Sequence, residues 1–196
     1  MSLNSNTTVI WISKIISNFF NPIISLLLFY TFLASYNHTF SEAMDYILPI
    51  LLITVLPIMT WITIKVKKGK YTNMDVSDRK QRKSLYYFII ATLIIYLAYY
   101  QIRFQHWDYK ILFLLILLIL MFVSNFFIKS SMHTGLNIFV AALFYGENQT
   151  LGWIWLLLSV IVGLTRIILK RHTISEVISG SILAFIVSIF YLYSIN

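Results

Sequence analysis

Long apolar stretches without charged residues alternate along this chain with short polar breaks. A helix needs about 20 residues to cross roughly 30 Å of hydrocarbon, so most of these stretches are long enough to cross a membrane. The pattern predicts an all-α fold, a polytopic transmembrane helical bundle of six or seven spans. The stretches cover residues 15–41, 46–64, 84–102, 111–128, 130–146, 148–165 and 177–196.

The first and fifth stretches leave the number of spans open. Asn21 and Pro22 interrupt the first, so we expect residues 1–19 to form an interfacial helix and residues 22–36 to cross. The fifth is short, but a helix that begins at Lys129 would nearly span the bilayer, with His133 in its first turn. Because no linker or soluble segment is visible, residues 1–196 are predicted to form a single membrane-embedded domain.

Composition supports a membrane protein and excludes several kinds of site. The hydrophobic content is 59%, whereas a soluble domain has about 45–50% apolar residues. The chain has no cysteine. Disulfides, thiolate metal sites and a cysteine nucleophile are therefore excluded.

Basic residues are concentrated in breaks that share one membrane face if every stretch crosses. These are the breaks after the second, fourth and sixth stretches, and the first of them is a basic loop over residues 65–83. Of the 15 basic residues, only Arg103 and Lys110 fall on the other side. Because cytoplasmic loops carry an excess of Lys and Arg, we expect this face to be cytoplasmic.

Two histidines lie in these breaks. Glu176 follows His172 by four residues, so on a helix its carboxylate can orient the imidazole and stabilise the imidazolium. Arg166 precedes His172 by six residues and can offer a planar set of donors to a phosphate. His133, in another break on the same predicted face, is available as a proton donor.

Phosphoryl transfer is the chemistry that suits this set. A neutral imidazole held in one tautomer can attack phosphorus, and several cationic donors must stabilise the equatorial oxygens. A metal is not required in such a scheme. The alternative is a non-catalytic membrane protein whose basic loops set its orientation. The candidate cationic donors are Arg79, Arg82, Lys129 and Arg166.

These strings resemble the motifs of the type 2 phosphatidic acid phosphatases, which are related in fold to bacterial acid phosphatases and vanadium haloperoxidases. Thr165-Arg166-x5-His172-x3-Glu176 is similar to the family's Ser-Arg-x5-His-x3-Asp, and Ser131-Met132-His133 is similar to its Ser-Gly-His. The resemblance covers the chain from about residue 70 to the C-terminus. Phe20-Asn21-Pro22 and Asp78-Arg79-x2-Arg82 further resemble a subgroup of small bacterial membrane members.

The resemblance implies a role for each matching residue. His172 is the expected nucleophile, Glu176 its partner, and His133 the general acid and base. Arg166 and Ser131 are expected to bind phosphate. No metal and no cofactor are implied.

The chain departs from the family at its first motif, Lys-x6-Arg-Pro. Asp75 and Thr72 stand seven residues before Arg82 and Arg79, and no proline follows either arginine. Arg79 and Arg82 are carried over as phosphate binders on this weaker basis. We expect Lys129 to replace the missing lysine.

Two further departures fall within the matching motifs. Met132 stands where the family has glycine, and Glu176 where it has aspartate. Either change can alter the geometry of the site, and a misplacement of about 1 Å can cost about a hundredfold in rate.

The expected function is metal-independent hydrolysis of a phosphate monoester or pyrophosphate bond on a membrane lipid, through a phosphohistidine intermediate at one membrane face. The alternatives are a polyprenyl diphosphate phosphatase, a lipid phosphotransferase, and a non-catalytic membrane protein with a degenerate site. We expect a multi-pass protein of the bacterial inner membrane. Its expected partners are the bilayer and a lipid phosphate, not nucleic acid; the oligomeric state is left open.

Overall fold

Helices account for most of the chain. The computed structural model describes residues 3–37 and 40–195, and no strand occurs among them. The predicted all-α class is therefore confirmed. The helices are α1 (Leu3–Phe19), α2 (Pro22–Asn37), α3 (Phe40–Pro49), α4 (Leu56–Lys67), α5 (Arg79–Phe104), α6 (Tyr109–Ser124), α7 (Met132–Glu147), α8 (Gln149–Ile168) and α9 (Ile174–Ile195), with a π-helical segment at Ile50–Val55.

Several of these helices are long and apolar enough to cross a membrane. Within the described residues, 4 segments qualify by length and composition, and a fifth is obtained if α1 and α2 are taken as one span bent by 53°. The helices are compatible with an integral membrane protein, but the prediction of six or seven spans is not confirmed. The four segments are Ile47–Lys67, Arg79–Phe104, Gln149–Ile168 and Ile174–Ile195.

The fifth apolar stretch forms α7, which begins at Met132 and not at Lys129 as predicted. Ser131 is the N-cap, and its hydroxyl accepts a hydrogen bond from the N–H of Thr134 at 3.4 Å. His133 lies in the first turn, as expected. With 16 residues the helix is about 24 Å long. Every residue from Met132 to Phe144 is buried. Helix α7 is therefore apolar because it is a core helix, and it has no broad face that could contact lipid.

The chain divides into two compact units. The terminal unit contains residues 1–29 and 130–196, and the middle unit contains residues 30–129. The expectation of one domain over residues 1–196 stays a prediction.

In the terminal unit, α7 packs along both α8 and α9, and α1 packs on α8. Gly152 permits the first of these contacts, because a Cβ at this position would lie 2.5 Å from the Cα of Tyr145. The ring of Phe144 stacks on Trp155 and meets Phe29 edge-on. The core of this unit therefore surrounds α7 on several sides.

In the middle unit, α5 packs against α4, the π-helical segment and α6. The ring of Trp61 stacks on Phe88, with centroids 4.4 Å apart. Both ends of the predicted basic loop are helical, since α4 continues to Lys67 and α5 begins at Arg79. The carboxylate of Asp78 caps α5 by accepting two backbone N–H bonds, each of 2.9 Å.

Candidate active site

The start of α9 holds the carboxylate of Glu176 against the ring of His172. The distance between His172 Nδ1 and Glu176 Oε2 is 2.8 Å. The same oxygen accepts the N–H of Thr173 at 3.1 Å, and the Glu176 N–H donates to Thr173 Oγ1 at 3.3 Å. These reciprocal bonds are a capping box. One local structure therefore caps the start of α9 and orients the imidazole.

The end of α8 positions the backbone of His172. The carbonyl of Arg166 accepts the N–H groups of Arg171 and His172, at 3.0 and 3.2 Å. The Lys170 N–H donates to Ile167 O at 2.9 Å, and Lys170 has a left-handed φ of 54°. This is a Schellman ending. It reverses the chain, so the six-residue separation brings the backbones of Arg166 and His172 into contact.

The side chain of Arg166 is buried in the terminal unit. Only 2% of the residue is exposed, and a buried charge is costly unless it is hydrogen-bonded. One terminal nitrogen donates to Ser17 Oγ of α1 at 2.7 Å. The hydroxyl of a distant helix therefore holds this guanidinium.

The loop before α7 lies directly against α9. The N–H of Ser131 donates to the backbone carbonyl of Glu176 at 2.9 Å, and the hydroxyls of Ser130 and Ser179 are 2.8 Å apart. Gly180 makes this approach possible, because a Cβ there would lie 2.7 Å from Ser131 O. Ser131, an expected phosphate binder, thus adjoins the turn that carries Glu176.

His133 lies in the first turn of α7 and is buried, with 8% exposed. Its carbonyl accepts a 2.8 Å bond from Asn137 Nδ2. The bond from Ser131 to Glu176 connects this turn to the start of α9, directly after His172. The terminal unit therefore brings together the segments that contain the two histidines.

Met132 does not require the backbone freedom of the glycine found in the family. It is the first residue of α7. Among the described non-glycine residues, positive φ occurs only at Val76, Gln105 and Lys170. The backbone here is ordinary helix, so methionine is accommodated without strain.

The other three predicted phosphate binders belong to the middle unit. Arg79 Nε donates to Asn125 O at 2.7 Å, and Arg82 Nε donates to Val76 O at 3.0 Å. Arg82 is buried, and Lys129 is half-buried. Within their own unit the two arginines tie the start of α5 to neighbouring backbone. Their part in phosphate binding stays a prediction.

Sequence reasoning missed four residues around the site. The string Thr173-x2-Glu176 is a capping-box signal that was readable from the sequence. Ser17, Asn137 and Gly180 gave no such signal, since their contacts join distant segments. Within residues 3–37 and 40–195, no group of three or more His, Cys, Asp or Glu side chains is arranged to hold a metal ion.

Comparison with known families matches the C-terminal part of the chain. Residues 124–196 fit the family model of the PAP2 superfamily, whose members are generally phosphatases. No curated protein and no solved structure matched the chain. The matched range contains the two histidines of the site, together with Arg166 and Glu176. Over residues 124–196, the chain is therefore similar to the PAP2 superfamily.

Proposed function

We propose that this chain is a membrane lipid phosphate phosphatase that works through a phosphohistidine at position 172. The observation that carries the proposal is the 2.8 Å contact between His172 Nδ1 and Glu176 Oε2. When Nδ1–H donates to the carboxylate, the neutral ring keeps its lone pair on Nε2. Nε2 is then the nitrogen that attacks phosphorus.

In the first step, His172 Nε2 forms a bond to phosphorus and the bond from phosphorus to the lipid oxygen breaks. His133 donates a proton to the leaving oxygen, which departs as the alcohol. The ring becomes cationic as the N–P bond forms. The charge of Glu176 stabilises this cation, and its position prevents the ring from rotating.

In the second step, water attacks phosphorus while His133 accepts its proton, and the N–P bond breaks. Inorganic phosphate leaves, and His172 returns to the neutral form. Arg166 supplies positive charge to the equatorial oxygens throughout, where fixed donors contribute most to catalysis. The assignments of Arg79, Arg82 and Lys129 to the same task are part of this proposal.

The surroundings of the terminal unit support a lipid substrate. Its last two helices expose large apolar side chains, including Trp153, Leu157, Ile182 and Phe190. Such surfaces are expected to face acyl chains. We therefore propose that a lipid phosphate enters from the bilayer, at the cytoplasmic face of a bacterial inner membrane.

The test is phosphate release by the detergent-purified protein from phosphatidate, phosphatidylglycerophosphate and undecaprenyl diphosphate. We expect release that persists with chelator, is inhibited by vanadate, and falls at least about a thousandfold in His172→Ala. His106→Ala, which changes an exposed histidine of the middle unit, is the matched control. Full activity in His172→Ala, or release that requires a metal, would contradict the mechanism.

Product analysis identifies the chemical class. Transfer of phosphate to an added alcohol without free phosphate would indicate a phosphotransferase. A preference for undecaprenyl diphosphate would indicate a polyprenyl diphosphate phosphatase. Absence of both phosphate release and vanadate binding would favour the non-catalytic alternative.

A further inference from the structure

Helix α1 buries hydroxyl groups and exposes apolar side chains. Ser13 and Ser17, one turn apart, are 3% and 1% exposed, whereas Trp11 and Phe19 are 63% and 53% exposed. A helix on a water-soluble domain normally shows the reverse pattern. This arrangement is expected of a helix whose outer face lies against an apolar medium and whose inner face makes polar contacts.

Ser17 makes this polar contact with Arg166. Its Oγ accepts the 2.7 Å bond from the guanidinium described above. Burying a hydroxyl costs free energy unless it is hydrogen-bonded, and alanine would pack in nearly the same space. The hydroxyl of Ser17 therefore contributes mainly by accepting the hydrogen bond from Arg166, and less by filling space.

The junction between α1 and α2 fixes where Ser17 lies. The two helices bend by 53° at this point. Asn21 Oδ1 caps α2 by accepting the N–H groups of Ile23 and Ile24 at 3.0 and 3.1 Å. The carbonyl of Phe20 is bound by Asn137 Nδ2 at 2.8 Å. The junction is thus attached to α7 at a defined point.

Asn137 connects this junction to the turn that carries His133. It is fully buried, and its Nδ2 also donates to His133 O at 2.8 Å. Its Oδ1 accepts from Ser25 Oγ at 2.9 Å and from Trp155 Nε1 at 3.3 Å. Two donors and two acceptor positions are the full capacity of this amide. A fully satisfied buried amide of this kind specifies one geometry.

We propose that the N-terminal segment, residues 17–25, completes the phosphate site, with Ser17 as a positioning residue for Arg166. The inference rests on the proposed function. An acceptor on one terminal nitrogen fixes the plane of the guanidinium, so less conformational freedom is lost when the remaining N–H groups bind phosphate. The segment lies outside the residues matched by the family model, 124–196.

The experiment compares Ser17→Ala with Ser13→Ala, which removes a buried hydroxyl one turn away on the same face of α1. For each variant, KM, kcat and the Kd of vanadate are measured on the full-length protein in detergent. We expect Ser17→Ala to raise KM and the vanadate Kd about tenfold, which is the lower end of the range for loss of a hydrogen bond to a charged group. Ser13→Ala should leave both near the wild-type values.

A second pair of variants separates positioning from packing. Thr and Val have nearly the same shape and differ by the hydroxyl, so Ser17→Thr should bind vanadate about tenfold more tightly than Ser17→Val. A purely structural role would lower the amount of active protein, and hence the apparent kcat, without changing KM. Rescue by threonine would exclude that explanation.

Three results would overturn the proposal, and they separate its failure from that of the proposed function. If wild-type protein releases phosphate but Ser17→Ala keeps its KM and vanadate Kd, the positioning role is wrong while the phosphatase proposal stands. Equal vanadate affinity in Ser17→Thr and Ser17→Val has the same meaning. If wild-type protein neither releases phosphate nor binds vanadate, both proposals fall.

Discussion

Replacing Glu176 by glutamine separates the charge of this side chain from its place in the helix cap. One carboxylate oxygen accepts both the 2.8 Å contact with His172 Nδ1 and the 3.1 Å bond from Thr173 N–H. The single carbonyl oxygen of glutamine can accept both bonds, so the cap and the ring orientation should persist. What is lost is the negative charge.

The expected effect is a selective loss of turnover. Hydrogen bonds to charged groups contribute about 1.5–3 kcal/mol and neutral ones about 1 kcal/mol, so the ring loses about 0.5–2 kcal/mol of stabilisation as it becomes cationic. This corresponds to a fall in kcat of about 2- to 30-fold. The melting temperature of Glu176→Gln should stay near that of wild type.

Thr173→Ala is the matched control, because it changes the other half of the capping box. It removes the hydroxyl that accepts the Glu176 N–H at 3.3 Å but keeps the carboxylate beside the imidazole. Loss of such a cap lowers stability by about 1 kcal/mol. Phosphate release and thermal unfolding are measured for both variants. Wild-type kcat in Glu176→Gln, or an equal loss in Thr173→Ala, would refute the reasoning.

Three further predictions concern stability, measured by denaturant unfolding in detergent. Gly180→Ala places a Cβ 2.7 Å from Ser131 O, so it should lower the free energy of unfolding by about 1–3 kcal/mol; unchanged stability would contradict this close packing. Lys170→Gly relieves a left-handed φ of 54° and should raise stability by up to about 1 kcal/mol; a loss would show that the lysine side chain matters more. Desolvation raises the pKa of Asp108 above its ordinary value, so this carboxyl stabilises the fold fully below about pH 4 and loses that contribution as the pH rises through its folded pKa. Wild type should therefore lose stability relative to Asp108→Asn as the pH rises above about 4, and a constant difference would oppose this account.

The pairing of His172 with Glu176 was predictable because it is local. Residues four apart on a helix are neighbours whatever the rest of the chain does. The same holds for the break between α1 and α2, since Asn21 caps a helix and Pro22 suits its first turn. Local backbone geometry determines such features, so they can be predicted from residues that are neighbours in the sequence.

The number of spans was not predictable in the same way. Hydropathy records how apolar a segment is, but it does not record whether lipid or protein surrounds that segment. Residues 130–146 were expected to form a span, yet every residue of their helix from Met132 to Phe144 is buried. The helix also starts at Met132, three residues later than expected, because Ser131 is its N-cap.

By itself, the sequence determined the helical class, the membrane-compatible composition and the local histidine–carboxylate pair. Only the tertiary structure decided that Arg166 is held by Ser17, and that Asn137 joins the first helical junction to the turn of His133. The contacts of Arg166 with Ser17 and of Asn137 with Phe20 join residues more than a hundred positions apart. No short-range pattern encodes them, because they exist only after α1, α7 and α8 have packed together.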